Sequence, residues 1–523
     1  MPQHPTDKNR LRPTPKRIAA LTAGAAAFIL LVLLNVGGYR YGVSDQAFYI
    51  PIVLQAIEPG LFPHDAPLLS AQNRLLAFDD WLAPLVRMTG VPLPIAFFAT
   101  YIAGLVALYA AAVAIGRSLF RSWWGVAAIV AALTLRHRIP DTAVNSLEAY
   151  LHPRQLAFAA GVVGVAVFLR GRTWLAVAAV ACGFLLHPTT AVWFGVLIGI
   201  AAVVSDRDSY QPMAAIAGGV AAAAAVLLAS TLHEQLSIMS PAWRALLQSK
   251  DYLLATDWPM LTWFANLSLA AVIAVVHDYR KSLGVATPRE TGLVAGCGVL
   301  LVMFLVSVPL ASAGIALVVQ LQFSRVFWLL DLIAVCYAVW LVVESPLGAH
   351  GSPVRFRVRR AAVALLFAAA MVRGGYVTFV ERADHPLIQI DLPATEWTAV
   401  MRWAGERPVG THFLADPGHA WRYGSSVRAA SGRDVYLEEV KDVGIAIYSN
   451  RVAERISSCI AELGDFSSLG PRRARWLARR HRLDYLITEH PIDLPLVHRN
   501  GRFSVYDLRG GATARPHDAT AAD

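Results

Sequence analysis

A single carboxylate, Asp45, lies in the stretch GGYRYGVSDQAFYIPIV (residues 37–53), directly after the first long apolar segment of the chain. A carboxylate at such a place can accept a proton from a hydroxyl group that comes within hydrogen-bond reach. An acidic residue that caps a following helix would occupy the same position. The residue type alone leaves both the chemical role and the capping role of Asp45 open.

A second stretch, RHRIPDTAVNSLEAYLHPRQ (residues 136–155), combines acids with Arg and His. Pro140 suits the first turn of a short helix and Pro153 marks its end, so this stretch predicts a helix that carries Asp141, Asn145 and Glu148 on one face. The solvated face of a surface helix has the same spacing. The run Arg136 to Arg138 is also typical of an interfacial anchor for lipid head groups.

Other ionisable residues collect at the predicted ends of the apolar segments, where a charge faces a cavity or a partner. His187 lies in LHPTT and is open to two readings, a ligand or a helix-end residue bonded to Thr189 or Thr190. Arg325 follows a polar break in a long apolar run. Acids mixed with cations at one interface indicate a phosphorylated substrate and acid–base work. The candidate phosphate-binding residues are Arg136, Arg138, Arg154, Lys250 and Arg325, and the other pocket candidates are Tyr49, His152 and His187.

The composition places these residues in a membrane protein. The chain has 523 residues, of which 56% are hydrophobic and 16% charged, and its mean hydropathy is +0.49. A soluble protein of this size needs more polar surface. Apolar stretches long enough to cross a bilayer recur between Ile18 and Val380. The net charge of +10 is concentrated in short loops, which indicates membrane orientation and not a nucleic-acid partner.

Alternating loops predict about eleven spanning helices, with more Lys and Arg on the cytoplasmic side. The expected location is the cell (inner) membrane, with the N-terminus cytoplasmic. The predicted divisions are a basic N-terminus (1–17), a transmembrane domain (18–380) with external loops 39–92 and 136–155, an extracytoplasmic domain (381–510) and a disordered tail (511–523).

The segment after the last apolar stretch reads as a small α/β domain. GTHFLADP and LDYLITE are typical of short buried strands. IYSNRVAERISSCIAEL and PRRARWLARRHR have the periodicity of amphipathic helices. LPLVHRNGRFSVYDL predicts a hairpin around Asn500-Gly501. The fold class predicted is therefore an α-helical polytopic membrane protein with a small C-terminal α/β domain.

These features resemble the GT-C superfamily of membrane glycosyltransferases. Members have an acid just after the first helix, further acids in the second external loop and often an external C-terminal domain. YGVSDQAFY supplies the first acid as Asp45, and IPDTAVNSLEAYLHPRQ supplies Asp141 and Glu148. HAWRYGSSVRAASGRDVYLEEVK is similar to segments that follow the last helix in bacterial members.

The resemblance implies transfer of a sugar from a polyprenyl-phosphate-linked donor to a glycan, lipid or protein acceptor on the extracytoplasmic face. Asp45 would be the catalytic base, with aromatic neighbours to stack on the sugar. Asp141 and Glu148 would serve the acceptor or a metal. No adjacent acidic pair is present in the second loop, so no cofactor is assigned and a divalent metal stays open. Arg422, Arg433 and Lys441 would help the C-terminal domain to recognise the acceptor.

Three other classes fit part of the pattern. A lipid-linked saccharide polymerase or ligase works at the same face, but usually depends on a large, Arg-rich late loop. A transporter or flippase would favour internal repeats and charges in the middle of helices, whereas the sequence shows no repeat and most of its charges lie at helix ends. A non-catalytic scaffold of the same shape is the third alternative.

Overall fold

The computed structural model describes residues 14–73, 77–205, 211, 236–346 and 353–510. Seven of the described helices are long and apolar enough to cross a membrane. They are Pro15–Val36, Leu93–Leu119, Pro188–Ser205, Met260–Ser282, Pro288–Ser312, Ala316–Val343 and Arg357–Glu381. The chain is thus a mostly helical, multi-pass membrane protein, as its composition predicts.

Three shorter apolar helices lie where the sequence predicts spans at about 122–135, 156–169 and 174–186. They are Trp123–Ala132, Pro153–Leu169 and Thr173–Leu186. The span predicted at about 212–231 lies outside the described residues. Between Thr291 and Glu344 the sequence predicts two spans without a clear boundary, and the structure divides this region into Pro288–Ser312 and Ala316–Val343.

The second of those helices is broken near its start. Its first part ends at Leu321, a short 3₁₀ turn covers Phe323–Arg325, and the helix continues over Val326–Val343. Gln322 joins the two parts at φ 50°, in the left-handed region that a continuous helix excludes. The break predicted beside Arg325 is confirmed, and Arg325 lies in a short 3₁₀ turn between the two helical parts.

The predicted first external loop is largely helical. It contains Gln46–Ile57, Ala66–Asn73 and Phe78–Thr89. Just before them, strand β1 (Tyr39–Arg40) pairs in parallel with strand β4 (Ile388–Gln389). The C-terminal segment thus lies at the same end of the helical bundle as this loop. We call this the domain end.

The predicted helix after Pro140 is wrong. Strand β2 (Arg138–Ile139) pairs antiparallel with strand β3 (Val144–Asn145), and the turn between them holds Asp141 at φ 48° and Ala143 at φ 54°. Two left-handed residues cannot belong to a right-handed helix. Asp141 and Glu148 therefore do not share a helical face.

The C-terminal domain contains a five-stranded sheet of order β6-β5-β7-β9-β8. Strand β5 pairs in parallel with β6 and β7, and β9 pairs antiparallel with β7 and β8. These strands are β5 (His412–Leu414), β6 (Asp434–Val435), β7 (Tyr485–Thr488), β8 (Leu496–Asn500) and β9 (Phe503–Asp507). The two strands and the hairpin predicted from the sequence are confirmed.

Helices cover both faces of this sheet, because successive strand residues point to opposite sides. Phe413 belongs to the core shared with helix Glu396–Gly405, whereas Leu414 belongs to the core shared with Asn450–Leu463 and Pro471–His481. Both amphipathic helices predicted from the sequence are confirmed. The domain is a three-layer α/β arrangement.

Candidate active site

A cavity of about 720 Å³ opens at the domain end. The two predicted external loops, the broken helix and the C-terminal domain all contribute to its walls. Every predicted site residue except Asp141 lines it: Asp45, Tyr49, Arg136, Arg138, Glu148, His152, Arg154, His187, Lys250 and Arg325. Folding therefore gathers residues that are spread over some 280 positions of the sequence into one space.

Asp45 stands at the N-terminal cap position of helix Gln46–Ile57, yet its side chain caps no backbone N–H. Its carboxylate instead turns into the cavity. Oδ1 accepts a hydrogen bond from Lys441 Nζ at 2.8 Å, and Oδ2 lies 3.1 Å from His152 Nε2. Asp45 therefore does not act as a side-chain cap of this helix.

The charge state of Asp45 follows from these neighbours. Burial raises the pKa of a carboxyl group, but the Lys441 ammonium and the hydrogen bond to His152 outweigh it and hold the pKa of Asp45 well below its usual range. Tyr150 Oη also donates to Oδ2 at 3.4 Å. Asp45 is therefore an ionised carboxylate whose oxygens are both occupied by donors.

His152 has a defined tautomer. Its Nδ1 accepts from the backbone N–H of Arg154 at 3.1 Å, so the proton of the neutral ring resides on Nε2, which faces Asp45. Burial and the charge of Arg154 lower the pKa of His152 to about 3. His152 is thus a neutral donor that fixes the orientation of the Asp45 carboxylate.

Glu148 is held by a buried ion pair. Its Oε1 lies 2.8 Å from Arg154 Nη2, and its Oε2 accepts from Asn145 Nδ2 at 3.2 Å. The same Arg154 nitrogen is 3.7 Å from Asp45 Oδ2. One guanidinium therefore serves both carboxylates of the cavity, while its buried Nε has no hydrogen-bond partner among the described residues.

The deeper wall carries further cations and a histidine. Arg325 Nη1 donates to Thr189 Oγ1 at 3.0 Å, and the buried Nε of Arg325 has no partner among the described residues. His187 Nδ1 lies 3.0 Å from Thr190 Oγ1, the helix-end contact that was one of its two readings. Lys250 Nζ donates to the carbonyl of Val440 at 2.9 Å. Donor groups that still have hydrogen-bonding capacity suit a phosphate.

Three residues considered at the sequence level lie elsewhere. Asp141 accepts a hydrogen bond from Thr262 Oγ1 at 2.6 Å and so ties the β2–β3 turn to helix Met260–Ser282. Arg422 pairs with Asp416, and Arg433 donates to the carbonyls of Gly405 and Arg407. All three stand outside the cavity lining.

Several lining residues were not anticipated, namely Arg40, Tyr150, Tyr252, Arg382 and Tyr448. Signals for two of them were present in the sequence. Tyr150 stands two positions before the candidate His152, within the stretch 136–155 that the sequence singled out. Arg40 lies within the same stretch as Asp45. Lys441 was expected to serve acceptor recognition, and its contact with Asp45 was not expected.

A buried ion-pair network holds Lys441 in place. Arg428 Nε lies 2.7 Å from Asp65 Oδ2 of the first loop, and its Nη1 lies 2.6 Å from Asp442 Oδ1. Asp442 follows Lys441 directly on helix Glu439–Ala446. The network therefore fixes this helix of the C-terminal domain against the first loop, and with it the ammonium that faces Asp45.

The described side chains do not fit a metal ion at this site. No three His, Cys, Asp or Glu residues among those described come close enough to share one. Asp45 and Glu148 both face cations, which compete with a metal for their oxygens. Asp141, the remaining acid that the sequence proposed for a metal, lies outside the cavity lining.

The protein is thus a multi-pass helical membrane protein with a cavity at one end and an α/β domain that contributes to the wall of this cavity. No protein-family model and no curated protein sequence matches the chain. Solved structures with a similar fold include those of the archaeal oligosaccharyltransferase AglB from Archaeoglobus fulgidus. The form in complex with an inhibitory peptide and a dolichol-phosphate is 13% identical, with a TM-score of 0.49, over 90% of this chain and 69% of that one.

Two further structures of the archaeal enzyme give similar values. The apo form is 12% identical with a TM-score of 0.46, over 90% of this chain and 69% of that one. The form tethered to an acceptor peptide is 13% identical with a TM-score of 0.48, over 90% and 68% of the two chains. The likeness is one of fold.

Proposed function

We propose that this protein is a membrane glycosyltransferase that moves a sugar from a polyprenyl-phosphate-linked donor to an acceptor hydroxyl or amide at the domain end. The observation that carries the proposal is the cavity itself. It places the ionised Asp45 within contact distance of Arg154 and Lys441, and Arg325 and Lys250 line the same space. A carboxylate and several cations are what a sugar phosphate and a proton-losing acceptor require.

In the proposed reaction, the bond between the sugar C1 and the phosphate oxygen breaks and the electron pair leaves with the lipid phosphate. A new bond forms between C1 and the acceptor atom, whose proton passes to Asp45. Arg154, Arg325 and Lys250 stabilise the charge on the departing phosphate. Tyr49 and Tyr252 offer aromatic surface for the sugar ring.

The contact between Lys441 and Asp45 suggests an order of substrate binding, in which the donor binds before the acceptor. Its ammonium occupies Asp45 Oδ1 before substrate binds, and this contact makes Asp45 a weak base. A donor phosphate in the cavity offers Lys441 a second anion. When Lys441 moves toward that phosphate, Oδ1 becomes free for the acceptor and the basicity of Asp45 rises. We propose that donor binding thereby prepares the site for the acceptor.

The membrane orientation is also proposed. The domain end is extracytoplasmic and the opposite end cytoplasmic, because basic residues such as Arg357, Arg359 and Arg360 precede the last span. A reporter fused after Gly511 is expected to be active only in the extracytoplasmic compartment. A matched fusion after Pro346 should show the reverse. Cytoplasmic activity of the Gly511 fusion contradicts this orientation and the assignment of the reaction to the outer face.

Donor binding is expected to depend on the fork of Arg154. Arg154→Lys keeps the charge, but a single ammonium cannot hold Glu148 and also present donors to a phosphate. Loss of a charge-assisted hydrogen bond predicts donor binding weaker by roughly 10- to 100-fold. Arg87→Lys, at an exposed position on helix Phe78–Thr89, is the control and should bind as the parent does.

The test measures the polyprenyl-phosphate sugar that co-purifies with the protein, identified by mass spectrometry, and transfer of its sugar in reconstituted membranes. Lipid retention that falls in Arg154→Lys but not in Arg87→Lys supports the phosphate site. Retention of lipid without transfer favours the non-catalytic scaffold. Equal retention in Arg154→Lys and the parent removes Arg154 from the donor site.

A further inference from the structure

The Lys and Arg residues that line the cavity fall into two groups of four. One group, the inner cations, surrounds Asp45 and the broken helix and consists of Arg154, Lys250, Arg325 and Lys441. The other group, the outer cations, consists of Arg40, Arg136, Arg138 and Arg382. In the proposed reaction the inner cations bind the donor phosphate, and the outer cations have no assigned role.

The main chain brings the outer cations together. The backbone N–H of Arg40 donates to the carbonyl of Ala149 at 2.8 Å, and Arg136 Nε donates to the carbonyl of Leu147 at 3.1 Å. Arg382 packs against Gly37, three residues before Arg40. Arg40 and Arg136 are therefore both bonded to carbonyls of residues 147–149, next to Glu148.

These guanidiniums lack acidic partners. Arg40, Arg136 and Arg382 form no ion pair with a carboxylate within the described part of the chain, and Arg138 reaches Asp141 only at 3.8 Å. The Nε of Arg40 is buried and has no hydrogen-bond partner among the described residues. By contrast, Arg154 and Lys441 of the inner group each contact a carboxylate.

Like charges that converge with few counter-charges repel one another. Burial lowers the pKa of the Arg40 guanidinium, the charges of Arg382 and Arg136 lower it further, and the charge of Asp384 offsets this only in part. A bound anion removes this repulsion and supplies the missing hydrogen-bond acceptors, since guanidinium forks match the oxygens of phosphates and carboxylates. The arrangement is therefore suited to bind an anion.

The geometry points to a second anion site in the cavity, formed by Arg40, Arg136 and Arg382, that binds a phosphate or carboxylate of the acceptor. The acceptor role of this site rests on the proposed transferase function, whereas the binding of an anion there does not. Asp45 and Glu148 line the same cavity as both groups of cations, so a donor on the inner cations and an anionic acceptor on the outer ones would share one space with the carboxylate. The acceptor class is thus an anionic glycan, lipid or peptide and not a neutral one.

The experiment titrates inorganic phosphate into the full-length protein in phosphatidylcholine nanodiscs at constant ionic strength, with calorimetric detection. The parent protein is expected to show two phosphate sites. The double variant Arg40→Gln/Arg382→Gln should weaken one of them by about tenfold or more, and Arg325→Gln should weaken the other. Arg87→Gln removes an exposed charge outside the cavity lining and should leave both sites unchanged. A single phosphate site that only Arg325→Gln removes overturns the inference.

Two further arms identify the source of the anion. Phosphatidylglycerol added to the nanodiscs should leave phosphate binding at the outer cations intact. If phosphatidylglycerol abolishes this phosphate binding, the outer cations are a lipid head-group site and the acceptor role is overturned. In transfer assays, Arg382→Gln should raise the KM for the acceptor with little change in kcat or in the KM for the donor. Two phosphate sites without any transfer would keep the anion site and reject the transferase.

Discussion

Asp45→Asn is expected to lower sugar transfer by roughly two to four orders of magnitude, the usual contribution of a general base. The substitution keeps the shape of the side chain and removes its basicity. The Lys441 ammonium, the Nε2–H of His152 and the Tyr150 hydroxyl all donate hydrogen bonds to Asp45. An amide oxygen can still accept one of them, so the cavity should keep its form and its donor affinity.

The measurement is the rate of transfer in membranes with matched amounts of protein, together with the amount of retained donor lipid. Asp80→Asn is the control, because Asp80 is an exposed acid in the same loop. It should behave as the parent protein does. If Asp45→Asn retains transfer within a few-fold of the parent, the base is another residue, and Glu148 is then the remaining carboxylate of the cavity.

Arg428→Met is expected to destabilise the protein by about 3–5 kcal/mol, because it leaves buried carboxylates without their counter-charge. The side chains of Arg428, Asp65 and Asp442 are each at most 3% exposed. Among the described residues, Asp65 then keeps the Arg455 guanidinium at 3.5 Å as its cationic neighbour and the backbone N–H of Val435 at 3.1 Å. The contact between the first loop and the C-terminal domain should loosen, and Lys441 should lose its fixed position beside Asp45.

Thermal unfolding and limited proteolysis of the membrane-embedded protein measure this effect. The expected result is a lower unfolding temperature, with cleavage that begins in the C-terminal domain. Arg455→Met is the matched control: this side chain is 34% exposed and reaches the same carboxylate only at 3.5 Å, so its loss should cost less than about 1 kcal/mol. Equal stability of Arg428→Met and the parent would mean that the network does not hold the domain.

The sequence by itself determined where the apolar spans lie and several strands and helices of the C-terminal domain. Long apolar runs predict spans because an exposed backbone must be satisfied within the bilayer, and the spans found lie where the runs are. Alternation and turn chemistry located strands β5 and β7 and the β8–β9 hairpin. Charges at the ends of apolar runs singled out Asp45, Arg154 and Arg325, because a charge near the bilayer needs a cavity or a partner.

Only the tertiary structure decided which of these ends meet. Asp45 and Lys441 are 396 positions apart, and Asp65 and Arg428 are 363 apart, so no local pattern relates them. The same holds for Asp141. Its spacing suggested a helix, but a hydrogen bond from Thr262 on a distant span holds it in a left-handed turn outside the cavity. Periodicity reports the local conformation that a segment prefers, whereas long-range ion pairs and hydrogen bonds select the contacts that build the site.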